Sequence, residues 1–412
     1  MSSGASKPIP RQPEVNIGTS GHVDHGKTTL TESLTGKWTS AHSEELRRGI
    51  TIRVGYADAA IYRCDGVDAP SCYNTDGECK GGEARLLRVA SFVDSPGHES
   101  LMANMLSGAA IMDGAIVVIA ANEPVPQPQT KEHVQALKMI GVDKVVVAQN
   151  KVDLVAYEEA LSNESKIRSF IESMGFGSAP LVPISAQKHL NIDALLEAIE
   201  ATIPTPKRDV MAKPFMHVLR SFDVNRPGTS IEKVRGGVVG GSVTQGTLHV
   251  GDEIEIRPGL YDSVKTRYMP VVTKVVSLGT SAGFVDSVKP GGLVAVGTAL
   301  DPYYTKSDAL VGSVAGLPGT LPEEISDLCM KASLFDTVVG ANEVIKVEPI
   351  KMNEILRLNV GTATTAGSVV QMKGGNTYVK LRKPVCPAPG ARVAISRRVV
   401  DRWRLIGSAS LV

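Results

Sequence analysis

Gly21-His22-Val23-Asp24-His25-Gly26-Lys27-Thr28 follows an apolar run, Val15–Gly18, and precedes a helical pattern that starts at Thr28. These eight residues satisfy G-x-x-x-x-G-K-[ST] in the strand–loop–helix setting that a phosphate-binding loop requires. Glycines let backbone N–H groups turn toward phosphate oxygens without a Cβ clash. The start of the helix adds partial positive charge. Lys27 can reach the β- and γ-phosphates, and the Thr28 hydroxyl can ligate Mg²⁺. Asp24, His25, Gly26, Lys27, Thr28 and Thr29 are therefore candidate nucleotide contacts.

Outward from this loop, β-rich runs alternate with helical patterns as far as residue 205. The predicted strands are Val15–Gly18, Val89–Val93, Ala115–Ala120, Val145–Gln149 and Leu181–Ile184. The predicted helices are Thr28–Leu34, Leu101–Met112, Lys131–Ile140, Ile167–Met174 and Ile192–Thr202. Uninterrupted apolar strands between helices imply an α/β P-loop domain, with a mostly parallel sheet covered by helices on both faces. Pro204 to Asp209 ends that pattern with two prolines and charges. Beyond it, Gly and Val dominate, as in GGVVGGSVTQGTLHVGDEIEIRPG (236–259). Leu248/Val250 and Ile254/Ile256 alternate with polar residues across a Gly251-Asp252 turn. Short alternating strands with glycine turns predict antiparallel β-barrels, and the length suits two. The expected division is a disordered tail over 1–12, the nucleotide domain over 13–205, a linker at 206–209, and barrels over 210–322 and 323–412.

Four further motifs sharpen the chemistry. Asp94-Ser95-Pro96-Gly97-His98 ends a buried strand. Its Asp94 can hold an Mg²⁺ shell through water, Gly97 can offer its N–H to a γ-phosphate, and His98 can orient an attacking water. In Asn150-Lys151-Val152-Asp153, the acid can accept both guanine N1–H and the 2-amino group, which adenine cannot supply. This selects GTP over ATP. Ser185-Ala186-Gln187 ends the last strand, where backbone N–H groups can meet guanine O6. Arg48-Gly49-Ile50-Thr51-Ile52 lies where a mobile switch belongs, and Thr51 can close the Mg²⁺ shell when a γ-phosphate is present. The same segment also reads as the start of a β-strand.

Composition narrows the class. With 42% apolar and 21% charged residues in 412, the chain can build several cores, which excludes wholesale disorder, a collagen-like fibre and a small disulfide scaffold. The longest apolar run, Gly114 to Ala121, is far below the roughly 18 residues of a membrane span. No secretory h-region is visible at the N-terminus. Net charge is +1, but Lys331 to Val412 holds 13 basic and 5 acidic residues, a net of +8 against −7 for the remainder. A basic C-terminal region suits a phosphate-rich partner; a scattered solvated surface explains it equally well. Five cysteines, three of them at Cys64, Cys72 and Cys79, form an odd, sparse set that reads as a reducing, cytoplasmic setting.

GHVDHGKTTL, RGITI, DSPGH, NKVD and SAQ resemble, in order and spacing, the translational GTPases, whose elongation-factor-Tu-like plan is a G domain followed by two β-barrels. SEELRRGITIRVGYAD (43–58), ANEPVPQPQT (121–130), RSFDVNRPG (220–228) and ISRRVVDRWRLIG (395–407) look like the gamma-subunit family of archaeal and eukaryotic translation initiation factor 2, in its archaeal form. The cysteine-bearing insertion at 64–82 points the same way.

The resemblance implies the core of a heterotrimer with alpha and beta subunits. With GTP bound, such a factor carries initiator methionyl-tRNA to the small ribosomal subunit, and hydrolysis after start-codon selection releases it. It implies GTP/GDP and Mg²⁺ as ligands, and a GTPase that is slow without the ribosome or a partner. It places the methionylated end between G domain and first barrel, the alpha subunit on the first barrel and the beta subunit on the G domain. Tyr56 matches a tyrosine of the methionine pocket; a core tyrosine is the competing reading. Asp24 and the Gly49 carbonyl match a second Mg²⁺ site, and Val23 and Ile50 match an apolar pair that screens the catalytic histidine. Archaeal relatives often carry a four-cysteine zinc knuckle. Here Cys64 and Cys79 match two of its positions, Gly82 stands at the fourth, and Asp65 or Asp76 is a possible carboxylate ligand. A loop without zinc is preferred. The nearest alternative is an elongation-type factor delivering another aminoacyl-tRNA.

Overall fold

The computed structural model describes residues 9–39, 54–79, 81–98, 101–338, 345–399 and 402–412. The chain divides into two units, with the boundary between Pro206 and Lys207.

In the first unit, a seven-stranded sheet is built from β1 (Val15–Ser20), β2 (Gly55–Cys64), β3 (Tyr73–Asn74), β4 (Ala84–Asp94), β5 (Gly114–Ala120), β6 (Val145–Asn150) and β7 (Leu181–Pro183). Their order is β3-β2-β4-β1-β5-β6-β7. β4, β1, β5, β6 and β7 run parallel to one another. Every residue of β1, β5 and β6 is buried, as the unbroken apolar runs require when helices cover both faces. The expectation missed β2, which pairs antiparallel with β4 from Gly55↔Asp94 to Cys64↔Ala84. Asp58, Tyr62 and Arg63 break up its apolar residues, so it lacks the long apolar run that marks the central strands.

The helices are α1 (Lys27–Thr35), α2 (Met102–Ala109), α3 (Pro128–Ile140), α4 (Tyr157–Ser173) and α5 (Ile192–Thr202). α4 begins ten residues before the predicted Ile167, because Glu158 and Glu159 favour its N-terminus without contributing apolar periodicity. Leu30 and Leu34 of α1 are fully buried beside Ile17, Phe92 and Ile116, each worth about 1.5–3 kcal/mol in burial. Arg88 of β4 fastens the unit's exit. Its Nε donates to Glu200 at 2.7 Å and its Nη1 to the Ile203 carbonyl at 2.7 Å and Thr205 at 3.2 Å.

The second unit contains two closed six-stranded barrels. The first joins Phe215–Phe222, Val238–Gln245, Glu253–Asp262, Arg267–Thr280, Val294–Thr298 and Val314–Gly316, closing between Glu253–Asp262 and Arg267–Thr280. Gly251, with φ of 98°, makes the turn expected between the two alternating pairs. Val218, Val239, Ile254, Ile256, Val275 and Val296 fill it. The second joins Ile325–Leu334, Ile355–Val360, Ala363–Lys373, Asn376–Val385, Arg392–Val399 and Arg402–Leu411. The barrels touch within this unit. Lys383 Nζ donates to the Val311 carbonyl at 2.8 Å, and a Cβ on Gly312 would lie 2.8 Å from Ala363 Cα.

Candidate functional site

The carboxyl ends of β1, β4, β5, β6 and β7 carry the motif loops, the edge where parallel α/β sheets bind ligands. A Cβ on Gly21 would sit 2.3 Å from the Val118 carbonyl oxygen, so only glycine lets the loop leave β1 this close to β5. Its N–H donates to His133 Nδ1 of α3 at 3.2 Å. Gly26, at φ 90°, makes the left-handed step into α1. His25 is fully buried, and its Nδ1 donates to the Val118 carbonyl at 3.0 Å. Asn150 then joins three motifs. Its Nδ2 donates to the His25 carbonyl at 2.9 Å and its Oδ1 accepts the Ala186 N–H at 3.0 Å. Both ends of its amide are engaged within the protein, so here Asn150 braces the loops.

Beneath the loop lies a buried pair of charges. Asp94 is fully buried and accepts from Thr19 at 3.0 Å, Thr28 at 2.8 Å and Thr39 at 2.6 Å. Burial raises its carboxyl above the usual range, while the three hydroxyls and Lys27 pull it back. Lys27 is pushed down to about 8 by burial, against the attraction of Asp94 and Asp24. Its Nζ donates to the His22 carbonyl at 2.5 Å. A Cβ on Gly97 would lie 2.5 Å from that Nζ and 2.9 Å from Val23 N, so the β4 turn meets the loop at the ammonium. An ammonium, a hydroxyl and a carboxylate thus converge, a donor set that fits a phosphate chain with Mg²⁺. His98 follows Gly97 and is exposed, as is Asp24; Val23 is half-buried. Gly49, Ile50 and Thr51 lie outside the described residues.

On the β6 side, Lys151 adopts φ 62° and its Nζ lies 3.9 Å from Glu123 Oε1. Asp153 is exposed in the short turn Val152–Leu154, and Gln187 is exposed after β7. The Ser185 N–H donates to the Leu190 carbonyl at 3.2 Å, and the Ala186 N–H to Asn150. Those two expected donors to a base oxygen are spent within the protein in this conformation.

Residues 12–205 match the elongation factor Tu GTP binding domain, 236–316 match elongation factor Tu domain 2, and 326–411 match the initiation factor eIF2 gamma C-terminal family. The chain is 57% identical to translation initiation factor 2 subunit gamma of Archaeoglobus fulgidus, over 96% of this chain and 94% of that one. It is 55% identical to the protein of the same name from Methanocaldococcus jannaschii, over 99% of both. The chain belongs to the translation initiation factor 2 gamma-subunit family. It is a translational GTPase with archaeal relatives, of the class that binds GTP or GDP with Mg²⁺. Two solved structures share the fold. A bacterial selenocysteine-specific elongation factor EF-Sec aligns with TM-score 0.73 at 24% identity, over 97% of this chain and 58% of that one. The elongation factor SelB of Methanococcus maripaludis aligns with TM-score 0.70 at 22% identity, over 98% and 79%.

The insertion of this gamma-family chain does not fit zinc. Cys64 and Cys79 form a disulfide, with Cα atoms 5.6 Å apart. Cys72 is a buried free thiol. A Cβ on Gly82 would lie 2.0 Å from the Asp65 carbonyl oxygen, so the fourth knuckle position has no room for a side chain. Among the described residues no group of three His, Cys, Asp or Glu gathers as a metal site. The expectation that sparse cysteines imply thiols in a reducing setting is corrected for this pair. Sequence reasoning also passed over Thr19, Thr39, Glu123 and His133. Thr39 falls between motifs, and His133 and Glu123 face the loop only because β5 lies beside β1. Among the described residues no helix is long and apolar enough to cross a membrane.

Proposed function

We propose that the chain is the core gamma subunit of a heterotrimeric initiation factor, with alpha and beta subunits as partners. In its GTP form it carries initiator methionyl-tRNA to the small ribosomal subunit, and hydrolysis after start-codon selection releases it. The observation that carries this reading is identity above half over nearly the whole length to proteins named initiation factor 2 gamma, second barrel included.

The residue roles follow the sequence motifs and the family resemblance, which the convergence of Lys27, Thr28, Asp94 and Gly97 supports. Lys27 offsets phosphate charge, Gly97 lets the β4 turn approach the γ-phosphate, and Asp153 with Gln187 faces the guanine. Mg²⁺, when bound, neutralises charge on the phosphate oxygens. Thr28, and Asp94 through water, would hold it, with Thr51 joining in the GTP state; Asp24 and the Gly49 carbonyl would hold a second ion. His98 orients the attacking water behind Val23 and Ile50. Catalysis is positioning and charge stabilisation, and with no arginine finger assigned the intrinsic rate is slow. Tyr56, half-buried on β2 opposite Val93, contributes to the methionine pocket.

The test is binding of the purified chain, with and without the alpha subunit, to initiator and elongator methionyl-tRNA. A non-hydrolysable GTP analogue is compared with GDP at one stated salt concentration. Preference for the initiator and for the GTP form is expected. Equal binding to both tRNAs would favour an elongation-type factor, and no tRNA binding despite bound nucleotide would favour an assembly scaffold. In a parallel arm, His98→Ala should bind GTP normally yet lose ribosome-stimulated turnover.

A further inference from the structure

Thr39 lies four residues beyond the end of α1, outside every motif read from the sequence. The turn that brings it back to the sheet is fixed by its own residues. Gly36, at φ 72°, donates its N–H to the Glu32 carbonyl at 2.7 Å. The Lys37 N–H donates to Thr35 Oγ1 at 3.1 Å. A Cβ on Gly55, the first residue of β2, would lie 2.7 Å from Thr39 Cβ, so a glycine there leaves the room that Thr39 fills. Gly55 also pairs with Asp94 across β2 and β4. Thr39 is half-buried and Asp94 fully buried.

The three hydroxyls on Asp94 are not equivalent. Thr19 donates to Oδ1 at 3.0 Å, whereas Thr28 at 2.8 Å and Thr39 at 2.6 Å both donate to Oδ2. An ionised carboxylate oxygen offers two lone-pair sites, so the two threonines fill Oδ2. The Thr39 bond falls in the short range of charge-assisted O–H···O⁻ contacts. The Thr28 hydroxyl can keep its proton on Oδ2 while a lone pair of its own faces a cation. A water in the shell of that cation is a donor as well. On the Thr28 side of Asp94, the site it needs is the one that Thr39 fills.

We propose that Thr39 is a positioning residue that latches Asp94 in the metal-free state, its hydroxyl standing on Oδ2 where a Mg²⁺-bound water must donate. Thr39 does not touch the nucleotide. It stabilises the empty site, and so sets the Mg²⁺ concentration at which the site fills. Asp94 exchanges one donor for another when Thr39 lets go, and the buried carboxylate is never left with Oδ2 half-satisfied. The inference rests on the reading of Asp94 as a residue that holds Mg²⁺ through water.

The experiment is equilibrium titration of the full chain with fluorescent GDP across a series of free Mg²⁺ concentrations, from EDTA alone to saturation. It uses wild type, Thr39→Val and Thr39→Ser. The melting midpoint of each protein without nucleotide, in EDTA, is measured alongside. Valine keeps the branched shape and removes the hydroxyl. Wild-type affinity for GDP should rise with Mg²⁺. Thr39→Val should reach the half-way point of that rise at about tenfold less Mg²⁺, the scale of one hydrogen bond to a charged group. It should also melt lower in EDTA, because Asp94 loses a donor. Thr39→Ser keeps the hydroxyl and should follow wild type in both. The opposed signs mark the latch, since a residue that only held the fold would lower the melting midpoint without lowering the Mg²⁺ requirement.

A Thr39→Val half-way point within about twofold of wild type, or above it, would overturn the proposal, since a competing charged hydrogen bond exceeds that scale. So would a Thr39→Ser variant whose Mg²⁺ requirement matches that of Thr39→Val, because the hydroxyl would then not be the cause. Wild-type GDP affinity that ignores Mg²⁺ would overturn it differently, by removing the reading of Asp94 on which it rests. Failure of the wild-type chain to bind GDP at all would remove the nucleotide site itself.

Discussion

Buried polar side chains are used differently in the two units. In the nucleotide unit they converge on the loops at one end of the sheet. Asn150, His25, Lys27, Asp94 and His133 are all buried there, and each bonds to a neighbouring element. In the barrel unit the interiors are Val, Ile and Leu. Among the described residues, buried polar atoms without a hydrogen-bond partner occur in both units, at Ser20 Oγ and His133 Nε2 in the first and at His217 Nδ1, Ser313 Oγ and Thr362 Oγ1 in the second, so the contrast lies in where the bonded polar groups gather. A hydrogen-bonded polar network specifies one geometry, because each lost bond leaves a desolvated group behind. An apolar barrel specifies a shape and tolerates exchange of one aliphatic side chain for another. The first arrangement is suited to hold a site and the second to present surfaces.

Asn150→Ala should break this contrast most sharply. It removes the bonds to the His25 carbonyl and the Ala186 N–H, each left in a buried place. At roughly 1–3 kcal/mol for each orphaned group, GDP affinity should fall about a hundredfold. The barrel unit should be untouched, so the fluorescence of Trp403, half-buried in the second barrel, should keep its wild-type urea midpoint in a Trp38→Phe background. Affinity within about threefold of wild type would show that the brace does not set the loops.

The same contrast explains what was legible in advance. GHVDHGKT, DSPGH and NKVD could be read because each is local, with glycines and strand flanks whose physics acts within a few residues. Strands β1, β5 and β6 were legible because burial on both faces writes an unbroken apolar run. β2 was not, because Asp58, Tyr62 and Arg63 interrupt its apolar residues and its pairing with β4 is long-range. Glu123 and His133 were illegible for the same reason, since only strand order brings them to the loop. Gly82 could be placed at the fourth knuckle position from the sequence, but not the close backbone approach to Asp65 that excludes any side chain there. The Cys64–Cys79 pairing likewise depends on how the β2–β4 hairpin folds back, which spacing does not reveal.

His217 sharpens the barrel side of the comparison at lower cost. Its ring packs edge-on against Phe215 at 5.1 Å between centroids, near Gly361 of the second barrel, where a Cβ would lie 3.5 Å from Cε1. Burial pushes its pKa down to about 4 from 6.5. The unfolded chain therefore binds a proton below 6.5 that the folded chain refuses until about 4. Stability from this group is complete above 6.5 and is lost as pH falls across that window, by about 2 kcal/mol at about pH 5. His217→Phe should remove that share. In the Trp38→Phe background, the loss of stability between about pH 7 and about pH 5, read through Trp403 in urea, should shrink by about 2 kcal/mol. An unchanged pH dependence would mean that the ring reaches water and is not held neutral.

The smallest expected effect is at the surface of the nucleotide unit. Arg168 on α4 donates to Glu164 one turn earlier, Nε to Oε1 at 2.8 Å, with the arginine side chain 57% exposed. Water screens the pair, and holding two long side chains costs entropy, so Arg168→Ala should cost about 0.3–0.5 kcal/mol. Arg397 in the second barrel looks similar as a Glu–Arg pair, but it bonds both oxygens of Glu354 and the Glu348 and Pro349 carbonyls, half-buried. Its truncation takes the donor from Glu354 Oε1 and from the Glu348 and Pro349 carbonyls, while Glu354 Oε2 keeps the Lys351 N–H. The two alanine variants, compared by urea unfolding at about 0.1 M and about 1 M salt, separate the cases, because screening acts on exposed charges over about 10 Å and about 3 Å at those concentrations. Arg168→Ala should lose what effect it has at high salt, while the cost of Arg397→Ala should persist. If the two variants respond alike to salt, then burial is not what distinguishes the ion pairs of the two units, and the contrast between them narrows to the buried network at the loops.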